Sequence, residues 1–214
     1  WYMFQSPKSA KSLHFGVIPR AIDDYLSFIA AYRTQEPAKR IDNAVWSIHA
    51  GEPPEVSSPV SFALLLNLVG VANASNKDQL WAYFARYLPE ATPESEPELD
   101  RLMGHALNYY EDFVKPTKAY RAPDAKEQAA LEDLAERLKA LPADTTDGEA
   151  IQNEVYAVGK DHGFEPLRGW FQGLYEVLLG QSQGPRFGSF AAIYGLPKTI
   201  ELIEAGARGE LAGG

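Results

Sequence analysis

No cysteine occurs in this sequence, which excludes disulfides, thiolate metal sites and a cysteine nucleophile, and suits a reducing compartment. Long apolar runs are missing as well. The longest, Phe62 to Ala72, is broken by Asn67 and Gly70 and falls well short of the roughly 20 residues a membrane helix needs, so no membrane partner is expected and the cytoplasm is the expected location. Histidine is scarce: His14, His49, His105 and His162 are scattered and no HExxH pair brings two of them onto one helix face, so no metal is expected. His105 reads as a hydrogen-bonded packing residue. Neighbouring carboxylates occur at Asp23–Asp24, Glu111–Asp112 and Glu132–Asp133. Adjacent helix positions point about 100° apart, so such pairs cannot flank one bond and read as solvated faces. The sequence also has no phosphate-binding GxxxxGK[ST] loop, no GxGxxG after a strand and no GxSxG elbow, leaving no catalytic residue to name.

What the chain does have is acid, unevenly placed. The 214 residues carry a formal net charge of -9, which opposes indiscriminate binding to phosphate backbones and makes DNA an unexpected partner. Residues 1–40 nevertheless hold six basic and three acidic side chains, residues 41–155 hold nine and 20, and residues 156–214 hold five and six. An acidic average can therefore coexist with a locally basic face.

The periodicity is helical almost throughout, and the predicted fold class is all-α: a multi-helix cage or bundle. Pro19 opens an amphipathic helix with Ile22, Leu26 and Ile29 inward and with Asp23 and Asp24 in its first turn. Residues 36–57, with Pro37, Gly51, Pro53 and Pro54, read as an irregular connection between a helical segment at 1–35 and a larger helical region at 58–214. Within that region Phe62, Leu65, Leu66 and Val69 mark a strongly apolar helix, followed by one with Leu80, Phe84 and Tyr87. After a solvated loop from Pro89 to Pro97, a third helix uses Leu99, Leu102, Met103, Ala106, Tyr109 and Phe113. A fourth runs from Pro123 to Leu141. Thr146 and Glu149 form a candidate capping box for the next, and Pro166 opens a helix that Gly180 can end in the left-handed conformation. Two short helices separated by Gly195 and Pro197 follow, with a frayed end.

Two strings stand out chemically. In Lys8-Ser9-Ala10-Lys11-Ser12 the lysines suit phosphate contact, though ordinary solvated lysines would look the same. In Gly180-Gln181-Ser182-Gln183-Gly184-Pro185-Arg186-Phe187-Gly188-Ser189-Phe190, glycines allow close backbone approach, Gln181, Gln183 and Arg186 can hydrogen-bond to base edges, and Phe187 or Phe190 can stack on an unpaired base. A glycine-bounded helix turn with both phenylalanines in the core explains the same composition.

Three stretches taken together, MFQSPKSAKSLHFGVIPRAIDDYL at 3–26, VWSIHAGEPP at 45–54 and LYEVLLGQSQGPRFGSFAAIYG at 174–195, resemble the class I lysyl-tRNA synthetase family in content, order and spacing. KSAKS looks like the KMSKS loop with which such enzymes grip ATP, but only seven residues precede it, too few for a catalytic Rossmann domain. The resemblance implies that this chain is the carboxyl-terminal part of such an enzyme, with the catalytic domain upstream, and Trp1 and Tyr2 ahead of Met3 suggest a chain cut from a longer one. ATP and Mg would then belong to that missing domain, no cofactor is expected here, and the chain alone is expected to be inactive. Residues 1–35 would contact the transfer-RNA stem through Lys8, Lys11 and Arg20. Residues 58–214 would form an anticodon-binding helical cage, similar in kind to that of glutamyl-tRNA synthetases. Gln181, Gln183, Arg186, Phe187 and Phe190 are the candidate contacts to the anticodon of the lysine transfer RNA, tRNA-Lys. The competing readings are a helical protein-interaction module without RNA binding and a self-contained enzyme with a polar cleft.

Overall fold

The computed structural model describes residues 14–213. Every regular element among them is helical, as the periodicity predicts. Helix α1 (Ile18–Thr34) carries Pro19 in its first turn, where a missing amide hydrogen costs nothing. A 3-10 turn (Pro37–Asp42) and the short α2 (Ala44–His49) follow, so the expected irregular connection contains local helix. Asn43 caps α2 by accepting from the Val45 amide. Ile29 and Tyr32 of α1 bury against Val45 in a small cluster of their own.

The central region comprises α3 (Phe62–Ala72), α4 (Lys77–Tyr87) and α5 (Pro97–Tyr109). Helix α3 is apolar on nearly all sides, the pattern of a helix surrounded by protein, and residues Leu64 to Val69 are all buried. Its amino end is capped by Ser61 and by the carboxylate of Asp23, which accepts from the amides of Phe62 at 2.6 Å and Ala63 at 3.2 Å. Asp23 therefore serves a neighbouring helix rather than the dipole of its own.

The remaining helices, α6 (Ala125–Lys139), α7 (Gly148–Asp161), α8 (Arg168–Leu179), α9 (Phe187–Tyr194) and α10 (Leu196–Ala207), enclose the larger core. Trp170 is fully buried there and satisfies its indole N–H on the Val155 carbonyl at 2.9 Å. Helix α9 joins the two halves: Phe187, Phe190, Ala191 and Ala192 belong to this core, whereas Ile193 belongs to that of α3–α5. Asp147, not Thr146, caps α7, accepting from the amides of Glu149 and Ala150. The complete capping box lies instead at Asp124 and Glu127 of α6. In place of the expected frayed end, a 3-10 turn, Glu210–Gly213, follows α10.

Candidate nucleic-acid interface

Much of the glycine-rich string at 180–190 is dictated by packing. Gly180 ends α8 at φ 66°, the left-handed conformation, and a side chain there would press on the Tyr120 ring. Its carbonyl accepts from the Ala119 amide at 2.9 Å, and Tyr175 donates its hydroxyl to the Pro185 carbonyl. At Gly188, α9 crosses α7 so closely that a Cβ would overlap the Gly148 carbonyl oxygen. The Gly188 amide donates to Gln152 Oε1 at 2.9 Å. The resulting turn presents Ser182, Gln183 and Arg186 to solvent and leaves Gln181 half-buried.

Phe187 and Phe190 are not stacking platforms. They are 1% and 0% exposed, their centroids 6.1 Å apart inside the core. The expectation that either stacks on a base is corrected: α9 is too short and too apolar to turn either ring outward without emptying the core. Gln181 is corrected in part. Asn67, the polar residue of the apolar stretch Leu64–Val69, donates to the Ala63 carbonyl at 2.8 Å and accepts from the Gln181 side-chain amide. A buried amide left unpaired is costly, so Gln181 ties the turn to α3.

That tie creates the candidate site. A groove of about 850 Å³ runs between the start of α1, α3, the end of α5 and the turn, lined among others by Arg20, Asp23, Asn67, Phe113, Gln181 and Gln183. Arg20 and Gln183, assigned from sequence to stem and anticodon respectively, thus share one surface. Arg20 is 87% exposed along its side chain and approaches Asp24 at 3.6 Å, a contact of little energy at such exposure. Burial pushes the Asp23 carboxyl above its usual range, opposed by the two α3 amides, and both of its oxygens are engaged in capping. Arg186 lines a separate recess with Pro59, Tyr87 and Ser189. Lys8 and Lys11 lie outside the described residues.

Sequence periodicity misplaced Phe113. Beyond α5 the chain widens into a π-helical turn, Tyr110–Val114, which shifts the phase of the face and leaves Phe113 40% exposed at the edge of the groove. Its ring lies 5.3 Å from that of Phe15, which is 65% exposed, and 5.0 Å from Tyr109. Tyr109 donates its hydroxyl to the Phe15 carbonyl at 3.0 Å. These exposed rings are the available aromatic surface beside Arg20 and Gln183. A π insertion has no one-residue signature, so nothing in the sequence pointed to them.

Among the described residues no three His, Cys, Asp or Glu side chains gather to hold a metal, and no helix is long and apolar enough to cross a membrane. His105 is exposed rather than packed. Among the described residues that line the groove the one carboxylate is Asp23, and both of its oxygens are engaged in capping. The groove can bind by hydrogen bonds, one guanidinium and exposed aromatic edges.

Fold and site together define a helical module with an open groove, lined by polar and apolar residues alike, beside a glycine-rich turn. Sequence comparison carries this further. The chain is 50% identical over 211 residues to a lysine–tRNA ligase of Roseobacter denitrificans, covering 99% of this chain and 40% of that protein. It is 43% identical over 205 residues to the lysine–tRNA ligase of Rickettsia felis and 44% identical over 205 residues to that of Rickettsia bellii, each covering 95% of this chain and 39% of the relative. Over 95–99% of its length the chain is similar to lysine–tRNA ligases, and it spans about 40% of the length of the curated relatives it matches. No family model matches it, and no solved structure does.

Proposed function

We propose that this chain is the carboxyl-terminal, tRNA-recognising part of a class I lysine–tRNA ligase, whose full-length form attaches lysine to tRNA-Lys using ATP and Mg held by a catalytic domain elsewhere in the same protein. Aminoacylation itself is not performed by these residues, and the setting is the cytoplasm. The observation that carries the reading is the convergence of Arg20, Gln183 and the exposed Phe113 on one groove in a chain related over 95–99% of its length to lysine–tRNA ligases.

The physical logic follows from the RNA. Duplex RNA hides its base edges in a deep, narrow groove, so identity is read on unstacked loop bases by stacking and edge hydrogen bonds. Gln183 offers an amide that can both donate and accept, and Arg20 offers a guanidinium to phosphate. Phe113 and Phe15 supply the rings that Phe187 and Phe190 cannot. Gln181 acts through Asn67 by holding the turn in place, and Arg186 contacts RNA from the neighbouring recess. Lys8 and Lys11 extend the basic contact along the stem.

The test is binding of tRNA-Lys by the full-length ligase carrying Arg20→Ala or Gln183→Ala at fixed salt. Arg20→Ala should flatten the dependence of log K on log salt by about 0.7 to 0.9, the share of one phosphate. Gln183→Ala should lower affinity without changing that slope. Wild-type affinity and slope in both variants would remove the groove from the proposal.

A further inference from the structure

At the carboxyl end of α3 lies a second pocket, of about 560 Å³, bounded also by α4 and the α9–α10 turn. Its volume is in the range of small-molecule sites. Tyr83 and Arg86 lie three apart on one face of α4, and Lys198 enters from the first turn of α10. Tyr83 and Tyr194 are stacked, with centroids 5.6 Å apart and planes 20° from parallel. Lys198 donates to the Tyr83 hydroxyl at 3.1 Å and sits over the Tyr83 ring, 4.5 Å from its centroid and 5.9 Å from that of Tyr194. Arg86 lies against Gly195, where a Cβ would be 3.4 Å from its guanidinium.

The lining of this pocket stands apart from the acidic average of the chain. It includes no Asp or Glu, although the chain has 29 such residues against 20 Lys and Arg. Neither Arg86 nor Lys198 has a carboxylate within ion-pair distance among the described residues. Glu201, the acid next along α10, is near enough to help raise the Tyr194 hydroxyl, after burial, yet it forms no ion pair with Lys198. Asn73 and Gln79 add amide groups at the rim.

We propose that this pocket binds one unpaired nucleotide of an RNA, its phosphate held by Arg86 and Lys198 and its base set against the Tyr83–Tyr194 pair, with Asn73 and Gln79 available to its edge. Two cations beside stacked aromatics and neutral amides match the three parts of a nucleotide: charge, flat face and polar edge. The site depends on the tRNA-binding reading only for the identity of the RNA, and its test does not involve the groove.

The experiment titrates the 214-residue chain with uridine 5'-monophosphate and, separately, inorganic phosphate, following the backbone amide resonances of Ala82 and Gly195. Both amides should move saturably with the nucleotide. Tyr83→Ala should weaken nucleotide binding about 5- to 150-fold, the effect of one lost stack, and should leave phosphate binding nearly unchanged. Arg86→Ala should weaken both ligands, with partial recovery in Arg86→Lys. Arg20→Ala and Gln183→Ala should leave both titrations at wild-type values, so failure of the groove and failure of this pocket are separate results. Static amides, phosphate binding as tight as the nucleotide, or wild-type affinity in both Tyr83→Ala and Arg86→Ala would overturn the proposal.

Discussion

Replacing Phe187 separates a core residue from a base-stacking one. The ring is 1% exposed and packs in the cluster that includes Phe190, Ile151 and Val155. Phe187→Ala removes most of that volume from a close-packed interior and should cost about 3 to 5 kcal/mol. For a domain of this size one kcal/mol corresponds to about 2 to 4 °C in melting temperature, so the expected fall is roughly 6 to 20 °C. Phe187→Leu keeps much of the apolar volume and should cost about 1 to 2 kcal/mol. The decisive comparison uses the leucine variant, which stays folded but has no aromatic ring. Its affinity for tRNA-Lys, measured in the full-length ligase well below the melting temperature, should equal that of wild type. A stacking residue behaves in the opposite way, losing about 1 to 3 kcal/mol of binding with its ring and little stability. An affinity loss of fivefold or more in Phe187→Leu, with the melting temperature unchanged, would refute the placement of this ring.

Two further outcomes follow from charges inside the helical shell. Arg121 grips both carboxylate oxygens of Glu127 at 2.6 Å and one of Glu176 at 2.7 Å. Arg121→Ala strands the nearly buried Glu127 and should cost on the order of 2 kcal/mol, less than a fully buried pair because the arginine side chain is 39% exposed. Urea unfolding at several pH values checks the sign. Arg121 holds the Glu176 carboxyl below its usual value, so the wild-type advantage should be full above the ordinary glutamate range and shrink as pH falls through it. Lys118 presents the reverse case, since burial beside the Tyr110 and Tyr120 rings lowers its ammonium to about 8. Its charge is therefore a cost below pH 8 that is relieved as pH rises towards the ordinary lysine value. Lys118→Met should stabilise the chain at pH 7 by on the order of 1 kcal/mol after solvent screening, with the gain fading towards pH 10.

The helices were legible because their signals are local: Pro19 at a first turn, the unbroken apolar face of α3, and Gly180 after the last apolar residue of α8. Tertiary contacts were not. Asp23 looks like a first-turn acid of α1, yet its carboxylate caps α3, 39 residues away. Thr146 and Glu149 have the spacing of a capping box, but Asp147 reaches the free amides first. In the glycine-rich string, composition pointed to polar groups offered to an RNA base, and Gln183 and Arg186 are exposed. It could not show that Phe187 and Phe190 face the core, since an apolar helix of eight residues has no polar side to fix its rotation. Nor could spacing show that Arg20 and Gln183 share a groove, because the tie that brings them together is a hydrogen bond between Gln181 and Asn67, 114 residues apart.

The most direct measurement is amide hydrogen exchange across the full-length ligase with and without tRNA-Lys, read at residues 181–184. If the groove receives RNA, exchange in this turn and around Phe113 slows on binding, while α6 and α7, remote from the groove, keep their rates. Unchanged exchange at 181–184 under saturating tRNA-Lys, with protection appearing only elsewhere in the chain, would contradict the account.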